Sequence, residues 1–333
     1  MSPAILACLQ IQMKARRNYE FAMDQNVQLG AGPEVPAYSG GAYRRPVPIP
    51  AFVRFLIAAL WAAGVFWASG FVYKLFPGYD LLDDVLFRVV GFLLTAGGFL
   101  FFLRVLDYNP SPWPRALALP FDRIGKRQFV TGLALGGMLI SADAGAIAVF
   151  GSLQFQLHLS RAMALRAGGA MALLFFGAML EELSFRGYPF QKLTESFGAF
   201  WAVIFLSALF GALHLGNPEA GGWLSWGFFN TLAVGLLLAL ARIRSGSLWF
   251  SCGLHFGWNL FQGVVLGLPV SGLNEFSTLV AAKVHGPLWL TGGDYGPEAS
   301  AACSVVLVAA LPLMWALTAS RKIQHRPVSS SCI

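Results

Sequence analysis

Eight continuous apolar runs, at roughly 52–74, 86–106, 129–150, 168–193, 198–216, 222–242, 247–267 and 301–319, are each long enough to cross a bilayer as a helix. Inside hydrocarbon a backbone must satisfy its own hydrogen bonds, which leaves helices or a closed barrel. The runs are unbroken rather than alternating, so they are helical. The expected architecture is therefore all-α: a polytopic membrane protein of about eight transmembrane helices enclosing an intramembrane polar cavity. Composition agrees, because only 12% of the 333 residues are charged and mean hydropathy is +0.63, too little polarity to clothe a water-soluble surface.

The formal charge of +7 could suggest nucleic acid, but its distribution reads as membrane topology. With the N-terminus in the cytoplasm, all but five of the 23 Lys and Arg residues fall on that side. The five are Lys74, Arg88, Arg161, Arg166 and Lys283. The positive-inside rule then puts both termini in the cytoplasm, and nucleic acid is not an expected partner. Residues 1–50 are polar and rich in Gly, Pro and Gln, with no cleavable leader pattern, and read as a disordered cytoplasmic tail. The expected organisation continues with N-terminal membrane helices over 51–160, the chemistry-bearing helices over 161–320, and a second cytoplasmic tail over 321–333. Four scattered cysteines form no C-x-x-C pair, so neither a disulfide framework nor a zinc knuckle is expected. Gly132-x-x-x-Gly136 and Gly253-x-x-x-Gly257 read as helix-packing faces.

Ionisable residues inside membrane helices cost about 2.5–3.5 kcal/mol each on insertion scales, so each needs a reason. The costly polar side chains gather late in the chain: Glu181, Glu182 and Arg186 in the fourth run, His214 in the fifth, His255 and the neutral amide Asn259 in the seventh. Asp143 stands apart and reads as a hydrogen-bonded structural group. Glu182 and Arg186 are four residues apart and share a helix face, so they can pair. Glu181 is rotated by about 100° and is left to face something else. If the fourth helix continues to residue 193, Glu181 lies about 18 Å above its cytoplasmic end; if Pro189 ends the helix, Glu181 lies much nearer that side. His255 and Asn259 share a face by the same spacing. A carboxylate, two imidazoles and an amide in a dry bundle can hold and deprotonate a water and stabilise an oxyanion.

Glu181-Glu182-x-x-x-Arg186, Phe210-x-x-x-His214 and His255-x-x-x-Asn259 resemble the three motifs of the CPBP (Abi) family of intramembrane proteases, which includes the type II CAAX prenyl endopeptidases. The resemblance covers roughly residues 165–270. It implies an intramembrane (metallo)endopeptidase in which Glu181 activates the attacking water. Glu182 and Arg186 would hold the site, His214 would polarise the water, and His255 with Asn259 would position it and stabilise the oxyanion. It also implies a peptide or protein substrate beside the lipid, with prenylated CAAX C-termini as one class. His214 and His255 with a glutamate and water make an acceptable Zn2+ set; a metal-free glutamate mechanism fits the same residues.

No H-E-x-x-H motif is present, which removes a site-2-type zinc protease, and Ser245-Gly246-Ser247 lies in a basic turn with no partner histidine. Two other classes stay open: a non-catalytic membrane immunity or scaffolding protein of the same fold, and a proton-coupled transporter.

Overall fold

The computed structural model describes residues 49–75, 81–109 and 111–319. The two tails expected over 1–50 and 321–333 lie almost wholly outside these residues. The principal helices are α1 (Ala51–Leu75), α2 (Leu81–Val105), α3 (Arg123–Phe150), α4 (Arg161–Arg186), α5 (Tyr188–Phe197), α6 (Ala199–His214), α7 (Trp226–Ser245), α8 (Leu248–Leu260) and α9 (Ala301–Ala319). The protein is an all-α polytopic membrane protein. Many large apolar side chains point outward, among them Leu60, Trp67, Phe150 and Val308, each more than 70% exposed. In water that surface would aggregate; in lipid it is the solvated face.

Local sequence sets the helix ends. Asp122, Ser160, Ser225 and Ser247 each cap a helix by accepting a hydrogen bond from a first-turn backbone N–H, at 2.8, 3.2, 3.1 and 3.1 Å respectively. The Ser245-Gly246-Ser247 turn is therefore a link between helices: Gly246 ends α7 at φ +70° and Ser247 starts α8.

Three expectations are corrected. The fourth apolar run is two helices, because the chain turns at Gly187 and Pro189 lacks the N–H to continue α4. Glu181 consequently sits five residues, about 7.5 Å, from the end of α4 rather than 18 Å. The number of full-length spans is five rather than eight by length and composition, among the described residues. The 16-residue α6 and 13-residue α8 rise only about 24 and 20 Å, short of a 30 Å hydrocarbon core. Finally, part of the polar linkers forms a two-stranded antiparallel ribbon, β1 (Ser152–Leu157) with β2 (Val280–His285), in register from Ser152 opposite His285 to Leu157 opposite Val280. It joins the linker after α3 to the long segment between α8 and α9.

The short α8 is the centre of the bundle, with nearly all of Leu248–Trp258 buried. Its closest neighbour is α3. Gly132 and Gly136 of α3 face the backbone at Phe250 and Leu254, while Gly253 and Gly257 of α8 face Phe129 and Leu133. Added Cβ atoms there would run into backbone carbonyl oxygens, so both G-x-x-x-G pairs are packing faces. Leu135, Leu139 and Ile140 of α3, Leu237 and Leu238 of α7, Leu254 and Trp258 of α8, and Leu307 and Met314 of α9 form one buried cluster around this contact. Gly253→Val should lower stability by about 1–3 kcal/mol through overpacking. Gly145→Ala, on an α3 surface with nothing within 4 Å of the added methyl, should be neutral or slightly stabilising. Thermal unfolding of both variants in detergent checks the contrast.

Candidate active site

The site is built from α4, α6 and α8, whose polar residues meet where α8 passes through the bundle. Glu182 is completely buried and one of its oxygens, Oε1, serves two partners. Arg186 Nη1 donates to it from one turn further along α4 at 3.1 Å, and His255 Nδ1 lies 3.0 Å away on α8. Arg186, 1% exposed, also donates from Nη2 to the Gly235 carbonyl of α7 at 3.1 Å and lies over the Phe210 ring at 4.5 Å. The pairing read from the four-residue spacing is present, and it joins four helices.

Glu182 is paired as an acceptor, so His255 presents its Nδ1–H to it. The other ring nitrogen, Nε2, faces Glu181 Oε2 at 3.8 Å. That separation is too long for a direct hydrogen bond. A water about 2.8 Å from both atoms would subtend an angle of about 85°, which one molecule can bridge. Glu181 Oε2 is a buried oxygen with no hydrogen-bond partner in the protein. Such an atom asks for a water or a substrate group.

His214 ends α6 and donates from Nδ1 to the Phe210 carbonyl one turn back at 2.8 Å, which fixes the orientation of its ring. A carbonyl only accepts, so the neutral ring carries its lone pair on Nε2. Phe210 is the shared wall: His214 packs on its ring with centroids 4.5 Å apart, and His255 meets it edge-on at 6.0 Å. Sequence reading noted Phe210 only as a motif aromatic. Its place between Arg186 and both histidines makes it a positioning residue.

Glu181, His214, His255 and Asn259 line one cavity of about 830 Å³ that includes open space. Glu182 and Arg186 lie behind its wall. All six expected residues thus belong to one constellation: three are directly bonded, Glu181 is adjacent, and His214 and Asn259 face the same space. Among the described residues no group of three or more His, Cys, Asp and Glu side chains is placed to hold a metal ion. The Zn2+ expected on His214, His255 and a glutamate would have to use Glu181, because Glu182 is committed to Arg186 and to His255 Nδ1.

Sequence reading missed a second acid in the cavity wall, Glu298, which lies in what reads as an outer linker. Its Oε1 accepts from Trp258 Nε1 at 3.2 Å, and its Oε2 accepts from the backbone N and Oγ of Ser271 at 2.6 and 2.8 Å. It ties the histidine-bearing α8 to the linker that roofs the cavity. Asn230 of α7 donates to the Glu298 and Ser300 carbonyls at 2.8 and 2.7 Å. Asp143, fully buried, accepts from Ser300 Oγ at 3.3 Å.

Fold and site together define a multi-pass membrane protein in which two glutamates, two histidines and an asparagine, Glu182 and His255 of them buried, gather from separate helices at one cavity and its wall. Residues 164–261 match the family described as type II CAAX prenyl endopeptidase Rce1-like. The segment from α4 to the end of α8, with all three motifs, is thus Rce1-like, as the motif resemblance implied. The chain is also 29% identical over 112 residues to the uncharacterized protein YyaK of Bacillus subtilis (strain 168), a stretch covering 33% of this chain and 37% of that protein. The match thus spans little more than a third of that relative. No solved structure matches the chain.

Proposed function

We propose that this protein is an intramembrane endopeptidase that hydrolyses a peptide bond with a water activated by Glu181. The observation that carries the reading is the unpartnered Glu181 Oε2, held 3.8 Å from His255 Nε2 at the cavity. A water bridging the two loses a proton to Glu181 as its oxygen attacks the substrate carbonyl carbon. The carbonyl π electrons move to oxygen, and the Asn259 amide, with a protonated His255 Nε2, donates to that oxyanion. Glu181 then returns its proton to the departing amine as the C–N bond breaks. His214 Nε2 accepts from the water and orients it. Glu182 and Arg186 touch no reacting atom; they fix the ring of His255. The Rce1-like match over residues 164–261 supports a C-terminal peptide of CAAX type as substrate class, and the basic loops support cytoplasmic termini.

The test compares membranes carrying the wild-type chain with membranes carrying Glu181→Gln at equal abundance, by proteomics of peptide termini. New C-termini present only with the wild type support the reading. Identical termini in the two samples, with biological function retained by the variant, would favour the non-catalytic scaffold instead.

A further inference from the structure

One cation in the catalytic cavity has no part in this chemistry. Arg88 of α2 lines the same space as Glu181 and His255. Arg186 cannot serve substrate, because it is sealed behind the wall by Glu182, Gly235 and Phe210. Arg88 forms no ion pair or hydrogen bond among the described residues, although Asp84 precedes it by one helical turn. An unpaired guanidinium within a membrane-spanning helix is expensive, and an anionic ligand would offset that cost.

The path between Arg88 and Glu181 is defined. α2 and α4 lie side by side and run the same way: Val85 packs against the cluster that holds Ala167, Ala170 and Leu173, and Phe92, further along α2, meets Phe176, further along α4, with ring centroids 5.9 Å apart. Arg88, between Val85 and Phe92, is level with about Leu173. Leu173, Gly177 and Glu181 follow at four-residue spacing on one face of α4, and all three line the cavity. Nothing lies within 4 Å of where a Gly177 Cβ would be, so this face is a trough that is open at its middle. Eight residues of helix from Leu173 to Glu181 span about 12 Å. An extended peptide covers that distance with three to four residues.

Resting on the peptidase reading, we propose that Arg88 binds the free C-terminal carboxylate of the substrate, with the last three to four residues lying along the α4 trough and the scissile carbonyl at Glu181. Arg88 thereby selects a chain end over an internal segment. A bidentate guanidinium–carboxylate pair supplies the recognition, and the apolar Leu173 and Leu174 favour apolar residues between the carboxylate and the cut.

The test uses the full chain in nanodiscs with Glu181→Gln to prevent turnover, and fluorescence anisotropy of two labelled, S-farnesylated peptides that differ only in ending as acid or amide. The acid should bind about 10- to 100-fold more tightly, the range for a charged hydrogen-bonded pair. Arg88→Gln should erase that preference by weakening the acid alone, and Arg88→Lys should keep part of it. Gly177→Leu should weaken both peptides alike by filling the trough. An unchanged acid-to-amide ratio in Arg88→Gln, equal binding of the two, or binding of neither overturns the proposal. If Arg88→Gln instead lowers only the retention of phosphatidylglycerol, its partner is a lipid phosphate and the assignment fails. Acid-selective, Arg88-dependent binding without cleavage by the wild-type chain would sustain the site and defeat the peptidase reading.

Discussion

Glu181→Gln lowers peptide cleavage by about 10²–10⁴-fold, the range for losing a positioned general base, and leaves the unfolding temperature in detergent within a few degrees of wild type. The two expectations come from one observation. Glu181 Oε2 makes no hydrogen bond to the protein, so the amide breaks no internal contact. The same atom faces His255 Nε2 at 3.8 Å, so the change removes the group that accepts the water proton. A quenched-peptide assay and a thermal melt on one preparation read both quantities. A stable variant that cleaves at the wild-type rate would end the glutamate mechanism; loss of activity accompanied by unfolding would recast Glu181 as structural.

Arg186→Met has the opposite profile. It should destabilise the protein by about 3–5 kcal/mol, because it strands the carboxylate of Glu182 in a fully buried position. The Gly235 carbonyl also loses a donor, and the Phe210 ring loses its cation. Adding Glu182→Leu removes the stranded charge, and buried pairs replaced by apolar residues are often neutral in stability. The double variant should therefore melt near wild type while remaining inactive, since His255 Nδ1 has lost the acceptor that orients its ring. Melting curves and cleavage rates of the single and double variants form the measurement. Recovery of activity along with stability would show that the Glu182–Arg186 pair only holds the bundle together.

These contrasts follow from adjacent glutamates on one helix, and that much was legible in the sequence. Their 100° separation forces different surroundings on them whatever the rest of the fold does. Spacing likewise paired Glu182 with Arg186 and put His255 and Asn259 on one face, because an α-helix converts four residues into one turn. Small residues at four-residue intervals in 132–136 and 253–257 marked two packing faces for the same reason, while their contact with each other is given by the structure. The break after Arg186 was also available, in Gly187 and Pro189, but the apolar residues beyond it carried the reading on to 193.

What the sequence determined by itself was the class of the molecule and the membership of its motifs. Apolar runs dictate helices in lipid, and periodicity dictates which costly side chains share a face. Only the tertiary structure decided that His255 is the ring held by Glu182, that Phe210 is the wall between both histidines and Arg186, and that Glu298 and Arg88 border the same cavity. Most of those relations join residues far apart in the chain, as with Glu182 and His255, 73 positions apart on different helices. No local period records them, because they depend on how closely the glycine faces of α3 and α8 let the other helices approach.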